Sequence, residues 1–297
     1  MCGKPRSQQP TADAIAALPG VSYDRRMQRR LVVLAICAGC GNVQNPTSDA
    51  APDAPPDAPT ATDLLAGTLR NGCVVALHME EPSWSGAMGE VKDDCGGDNP
   101  GTIVGQGTTT VAGGVRGRAG SFTGGGCIDI ANASALHATT GLTMSAWIFP
   151  TQLDGGVNNA NGVISKRTDS GNQPEYSLSV WLMNHVYVDL DGESDRFNGN
   201  AIITTNTWAQ LTMVYDGTRQ QDQRARVYVN GSLDVTKKET SPSLTPYTST
   251  LHVGCMPAPG AAPPTQQNFI GEIDEVAIWN RALTDQEITQ WYTNTKP

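Results

Sequence analysis

From residue 71 onward, apolar and polar side chains alternate with a period of two. Leu142, Met144, Ala146 and Ile148 take turns with Thr143, Ser145, Trp147 and Phe149. Ala209, Leu211, Met213 and Tyr215 alternate with Gln210, Thr212 and Val214, and Ala225, Val227 and Val229 with Arg226, Tyr228 and Asn230. Successive side chains on a strand point to opposite faces, so each run predicts a strand with one face buried. Asn230-Gly231, flanked by Val-Tyr-Val and Leu-Asp-Val, predicts a two-residue hairpin turn. Tyr176 to Leu190 predicts a second hairpin, turning near Met183-Asn184. Helical spacing occurs only at the end, where Thr284 and Glu287 have capping-box spacing ahead of Ile288 and Trp291. The pattern predicts an all-β antiparallel sandwich over residues 71–297 with a short C-terminal helix.

Ahead of the sandwich the patterning changes. Residues 27–40 read M-Q-R-R-L-V-V-L-A-I-C-A-G-C. Arg29 and Arg30 precede a short apolar run, Leu31 to Cys37, and Ala38-Gly39-Cys40 places small residues before a cysteine. This is the layout of a secretory signal. It resembles the lipobox of bacterial lipoproteins, although Cys37 stands where that pattern usually has Leu. The resemblance implies lipidation of Cys40 as the mature N-terminus. With Gly41 rather than Asp following, it favours the outer membrane or cell surface. Residues 1–26 show no periodicity and Met27 is the better initiator, so 1–26 are expected to be an over-extended start and 27–39 the signal. Residues 40–70 are expected to be a linker. Its Asp-Ala-Pro repeats lack the apolar groups for a core, and proline with mutually repelling aspartates favours an extended stalk.

Composition narrows the function. Of 297 residues, 38% are apolar and only 16% charged, with 32 Gly and 19 Pro, which argues against a coiled coil or helix bundle. The net charge of −9 offers no basic excess to neutralise phosphates, so nucleic acid is not an expected partner. Residues 1–39 hold six basic and two acidic side chains, a net +4, so a chain starting at Cys40 carries −13. No apolar run reaches the roughly 18–20 residues needed to span a bilayer. Attachment is therefore expected through the lipid alone, and the domain is expected to be a monomer. Seven cysteines are present. Cys2, Cys37 and Cys40 precede the sandwich, and Cys73, Cys95, Cys127 and Cys255 remain, an even set that in an exported chain predicts two disulfides. A zinc site is the weaker reading. No pair among these four has C-x-x-C spacing, and only His252 among the histidines lies near one of them, Cys255.

Four stretches carry a family resemblance. F-I-G-E-I-D-E-V-A-I-W-N-R-A-L-T-D-Q-E-I (269–288) resembles the closing strand and helix of laminin-G-like domains of the concanavalin A-like lectin/glucanase superfamily. G-L-T-M-S-A-W-I-F-P (141–150) resembles the early core strand. W-A-Q-L-T-M-V-Y-D-G with V-Y-V-N-G (208–217, 227–231) resembles the central hairpin. V-V-A-L-H-M-E-E (74–81) with D-D-C-G-G-D-N-P-G (93–101) resembles the first strand and the loop after it. The resemblance spans residues 72–297 and implies a jelly-roll of two sheets with the first and last strands paired. The strand order so implied places Cys73 and Cys127 at one end of neighbouring strands. The expected disulfides are therefore Cys73–Cys127 and Cys95–Cys255, out of three connectivities.

Candidate chemistry is sparse. Glucanases of this superfamily use E-x-D-x-x-E on one strand, where alternation gathers the first two carboxylates on one face. Glu272 and Asp274 begin that pattern, but Ala277 occupies the third position, and alternation would turn Glu275 to the opposite face. No G-x-S-x-G, Walker loop, G-x-G-x-x-G or H-E-x-x-H occurs. A structural Ca²⁺ is the expected inorganic partner, because the 93–99 loop supplies carboxylates, amides and glycine turns. Its ligands are expected to be Asp93, Asn99 and Asp274, with Glu80 from the first strand's end. Trp84 and Trp181 are the tryptophans expected to be exposed for a ligand. The loops 154–173 and 256–268 are candidate rims for such a site. The expected function is noncatalytic binding of a glycan or an extracellular protein. The alternatives are a glucanase-type polysaccharide hydrolase and an envelope component without a dedicated ligand.

Overall fold

The computed structural model describes residues 64–153, 160–167, 174–191, 195–257 and 266–297. The signal, Cys40, most of the linker and parts of both candidate rim loops lie outside the described residues. Alternation is realised as two antiparallel sheets packed face to face. One sheet runs in the order β13 (Ser232–Lys237), β12 (Ala225–Val229), β11 (Ala209–Asp216), β6 (Gly141–Gln152), β17 (Ile270–Trp279), β4 (Arg118–Thr123), β3 (Thr108–Ala112), with β1 (Cys73–Leu77) also paired to β17. The other runs β10 (Asp195–Ile202), β9 (His185–Leu190), β8 (Pro174–Trp181), β7 (Asn161–Arg167), β14 (Leu251–Val253), β5 (Gly126–Ile130), β2 (Gly101–Gly105). A small hairpin joins β15 (Cys255–Pro257) to β16 (Gln266–Asn268).

Between the sheets lies the main core. Leu142, Met144, Ala146 and Ile148 from β6 and Leu211, Met213 and Tyr215 from β11 meet Leu178, Val180, Val186 and Val188 from the facing sheet. Asn230 and Gly231 both take positive φ, 51° and 72°, as a tight turn between β12 and β13 requires. Helix α1 (Asp285–Thr295) begins with a full capping box: the Thr284 hydroxyl accepts from the Glu287 N–H, and the Glu287 carboxylate accepts from the Thr284 N–H.

Burial does not stop at one face of the eight-stranded sheet. Helix α1 and the 3-10 turn Gly67–Arg70 pack on its outer side. There Leu64, Leu65, Leu69, Leu283, Ile288 and Trp291 form a second core against Ala76, Val214, Ala277 and Trp279. Trp279 and Trp291 meet edge to face at 5.4 Å. Leu64, Leu65 and Leu69 belong to the stretch that sequence reading assigned to the linker, and they are buried. Polar residues on this face are consequently buried as well, and several are paired, although Gln210 Oε1 and Arg226 Nε have no hydrogen-bond partner among the described residues. Ser145 and Thr212 share a hydrogen bond of 2.8 Å, Trp291 Nε1 donates to the Ser145 hydroxyl, and Trp147 Nε1 and Gln210 Nε2 donate to the Thr295 hydroxyl.

β17 carries the seam of the fold. Its first half pairs with β4 and its second half with β1, while β6 lines the other side throughout. The register breaks at Asp274-Glu275, where Glu275 takes φ 48°. Such a bulge adds one residue and resets the alternation, so Ile273, Val276 and Ile278 all reach the main core.

The disulfides are Cys73–Cys95 and Cys127–Cys255, not the expected Cys73–Cys127 and Cys95–Cys255. β1 and β5 belong to different sheets, so Cys73 and Cys127 are not neighbours. Instead Asp93 folds its loop back along β1, accepting from the N–H groups of Ala76 and Cys95, and brings Cys95 to a Cα separation of 5.4 Å from Cys73. Gly254, at φ 82° with the Phe122 ring where a Cβ would stand, turns the chain between β14 and β15 and sets Cys255 opposite Cys127.

Candidate functional site

The outer face of the seven-stranded sheet differs from its counterpart. Leu178, Val180, Val186 and Val188 point into the core. Alternation therefore sends Ser177, Ser179 and Trp181 of β8 and Tyr187 and Asp189 of β9 outward. Ser165 and Arg167 of β7 join them. Ser165, Ser177 and Ser179 are fully buried there, and Asp189 is 1% exposed. Asp189 anchors the group: Arg196 Nε lies 2.7 Å from its Oδ1 and Arg167 Nη1 donates to its Oδ2 over 3.4 Å. Trp181 and Tyr187 stand edge to face with centroids 4.7 Å apart. Burial, followed by the charge of Asp189, pushes the Tyr187 phenol up to about 12, so it stays protonated and able to donate.

A cleft of about 50 Å³ opens among Arg167, Trp181, Tyr187, Asp189, Arg196, Met256 and Gln267. That volume admits one polar substituent, about the size of a water, and not a sugar ring. Trp181 Nε1, in the cleft, is buried without a hydrogen-bond partner among the described residues, as are the Ser165 and Ser179 hydroxyls on the same sheet face, which do not line the cleft. Burying such a group unpaired costs on the order of 1–3 kcal/mol. The cost is recovered when a ligand supplies the missing partner. A half-buried tryptophan with idle donors and guanidinium groups beside it is suited to stacking on a ring while bonding its hydroxyls.

Trp181 is thus brought together with polar partners, but Trp84 is not among them. Trp84 is half-buried against the main core, and its Nε1 donates to Glu81. The expected calcium ligands also divide. Asp93 is occupied by three backbone donors, from Ala76, Cys95 and Asn99, and the Asn99 amide donates to the Val74 carbonyl. These two residues fasten a loop. Asp274 accepts from the N–H groups of Arg116 and Glu275, and Glu80 accepts from the N–H of Arg118, so both address the turn between β3 and β4.

Around that turn lies an acidic cluster. The bulge brings Asp274 and Glu275 to one side, contrary to simple alternation, and Arg116 reaches both. Glu275 Oε2 is 2.5 Å from His78 Nδ1. Burial, then the charges of Glu275 and Glu80, hold Asp274 well above the usual carboxylate range. For His78, burial opposes the charged form, but the Glu275 hydrogen bond and charge prevail and raise its pKa. A pocket of about 290 Å³ lined by His78, Glu80, Glu81, Lys92 and Asp94 opens beside the cluster.

Arg167, Ser165, Ser179, Asp189 and Arg196 were not singled out from sequence. Their only trace there is a polar set in phase along β7, β8 and β9, which reads equally well as a solvated face.

This geometry can be set beside known proteins. The family model for the concanavalin A-like lectin/glucanases superfamily of laminin-G type matches residues 122–289, more than half of the chain, and the chain belongs to that family. Its fold is similar to domain 4 of AbnA, a GH43 extracellular arabinanase from Geobacillus stearothermophilus, in complex with arabinotriose. The identity is 21% and the TM-score 0.54, with 74% of this chain and 98% of that one covered. It is similar also to the binding domain of Paraclostridial Mosquitocidal Protein 1, at 14% identity and TM-score 0.55, with 75% of this chain and 52% of that one covered. A third is a structure of botulinum neurotoxin type C, whose cell entry depends on interaction with two ganglioside molecules, at 13% identity, TM-score 0.50 and coverage of 77% and 52%. The chain thus spans about half the length of these two toxin-related structures. No curated protein sequence matches it.

Proposed function

We propose that the chain is a noncatalytic recognition protein that binds a glycan across the outer face of the seven-stranded sheet. Trp181 is the stacking platform, and the 50 Å³ cleft receives one polar substituent. The observation that carries this reading is the half-buried Trp181, which lines the cleft beside Arg167 and Arg196 with its Nε1 unpartnered among the described residues. The binding role of the similar toxin domain and the arabinotriose held by the similar arabinanase domain accord with it. A hydrolase is disfavoured, because Asp274 is fully buried with its carboxylate on backbone donors and Ala277 stands where a third carboxylate is needed. A glycan array probed with wild type and Trp181→Ala tests the proposal. Wild type should retain at least one glycan family and the variant should lose it by at least tenfold. Retention of no glycan by wild type, or equal binding by the variant, removes this reading.

Two further parts belong to the proposal. The domain is held at the outer membrane or cell surface by lipid on Cys40. Labelling with a palmitate analogue should disappear in Cys40→Ala, and unchanged labelling overturns the anchor. A structural Ca²⁺ is the other part, at the expected Asp93, Asn99, Asp274 and Glu80, of which Asp274 and Glu80 share the turn between β3 and β4. Adding Ca²⁺ to EGTA-stripped protein should raise the melting temperature, and Glu80→Gln should abolish the rise. No shift in wild type removes the ion.

A further inference from the structure

The Cys127–Cys255 disulfide has a histidine beside it. His252 on β14 lies opposite Asp129 of β5, and one of its ring nitrogens lies within 4.8 Å of both sulfur atoms. All three residues are buried: Cys127 and Cys255 fully, His252 at 8% exposure. His252 Nδ1 is 2.7 Å from Asp129 Oδ1. A carboxylate on one ring nitrogen holds the proton there and leaves the lone pair on the other, which is how metal-binding imidazoles are oriented. Nε2 is therefore the nitrogen left to act as a ligand. A disulfide needs only two sulfurs, and neither the histidine nor its carboxylate partner adds to that bond. Among the described residues this is the one group of three such side chains close enough to share an ion.

We propose that in the reduced chain Cys127, Cys255 and His252 bind a thiophilic divalent cation of the Zn²⁺ class, and that oxidation to the disulfide expels it. Zn²⁺ takes thiolate at about 2.3 Å and imidazole at about 2.0–2.1 Å in a tetrahedron, which sets ligand atoms within about 4 Å of one another. Two thiolates and a neutral imidazole suit this ion, with water in the fourth position. The release step is thiol–disulfide exchange with a disulfide oxidant. One thiolate attacks the oxidant's S–S bond to give a mixed disulfide, and the second thiolate then closes the protein's own bond. The oxidant takes the two electrons and leaves as two thiolates, which pick up protons from water, and the cation departs. Before meeting an oxidant, the ion joins β5, β14 and the start of β15. Afterwards the disulfide performs the same task.

The test uses the full chain, kept reduced by a phosphine without oxygen and titrated with Co²⁺ as a spectroscopic stand-in for Zn²⁺. One Co²⁺ per chain should produce a thiolate-to-metal charge-transfer band, which Zn²⁺ displaces and the oxidised protein lacks. Adding a disulfide oxidant should return the metal to solution in step with loss of the band. Asp129→Asn, which keeps the ligands and alters only their positioning, should weaken affinity by about 10–100-fold while keeping the band. The Cys73→Ser/Cys95→Ser double variant should bind as wild type does. Absence of the band in reduced wild type overturns the proposal, as does a band that survives Cys127→Ser. The wild-type reading decides alone, so a variant that fails to fold does not rescue the idea.

Discussion

The outer faces of the two sheets are built from the same alternating strands and have opposite fates. On the eight-stranded sheet, helix α1 covers the face, and buried polar groups there find partners in Ser145–Thr212, Trp291–Ser145 and Trp147–Thr295, with Gln210 Oε1 and Arg226 Nε left over among the described residues. On the seven-stranded sheet, among the described residues, the Ser165 and Ser179 hydroxyls and Trp181 Nε1 are buried without partners, and Trp181 lines a cleft. Buried polar groups cost little when paired and much when not. The first face is covered by its own chain. The second opens a cleft beside the unpaired Trp181 N–H, and that is the physical basis for assigning recognition to it.

The largest expected effect that sharpens this contrast concerns two tryptophans. Trp291→Ala removes a fully buried ring and should cost about 3–5 kcal/mol of unfolding free energy in denaturant titration. Trp181→Ala should cost about 1 kcal/mol or less while abolishing glycan retention. Equal losses would erase the distinction between the faces. A finer version uses one hydroxyl from each. Ser145→Ala strands the Trp291 N–H and should cost about 1–3 kcal/mol, whereas Ser179→Ala removes an unpaired group and should be neutral or slightly stabilising. Destabilisation of similar size in both variants would show that the Ser179 hydroxyl is satisfied within the fold.

The smallest effect is a dependence on pH at the β17 bulge. His78 has a raised folded pKa despite burial, because of Glu275. A group that holds its proton more tightly when folded contributes fully below its unfolded pKa. That contribution is lost as pH climbs through the folded value. Asp274, also raised, acts with the same sign from the carboxylate range upward. Denaturation midpoints should therefore decline as pH rises above the ordinary histidine value of about 6.5 and through the higher folded value, and less so in His78→Gln. A rise across that window would contradict the His78–Glu275 pairing.

Local signals were legible in the sequence because they act over a few residues. Asn230-Gly231 specifies its turn through backbone conformation, and Thr284 with Glu287 specifies a helix start through two reciprocal bonds. The pairing of first and last strands was legible through resemblance. What failed depends on distant contacts. The second core under α1 is invisible in β6, where Thr143, Ser145 and Trp147 look like a solvated face until a helix arrives from residue 285. The disulfide pairing turned on which sheet β1 joins. The bulge left a faint mark, since Ile273 and Val276 are three apart within a period of two. As for the site, Trp181 could be named, but Ser165, Ser179 and Asp189 could not. Their hydroxyls and carboxylate read as wetted until burial is known.

One feature of β17 bears on timing. Because β1 finds its partners at Val276–Trp279, the opening strand must wait for nearly the whole polypeptide to be made before it has anywhere to bind. Pairings this far apart in the chain close late and slowly. Any shortened product that ends before residue 276 would leave β1, β4 and β6 with bare edges, a state prone to aggregate. A sheet whose first strand closes against its last remains open until that last strand has been made.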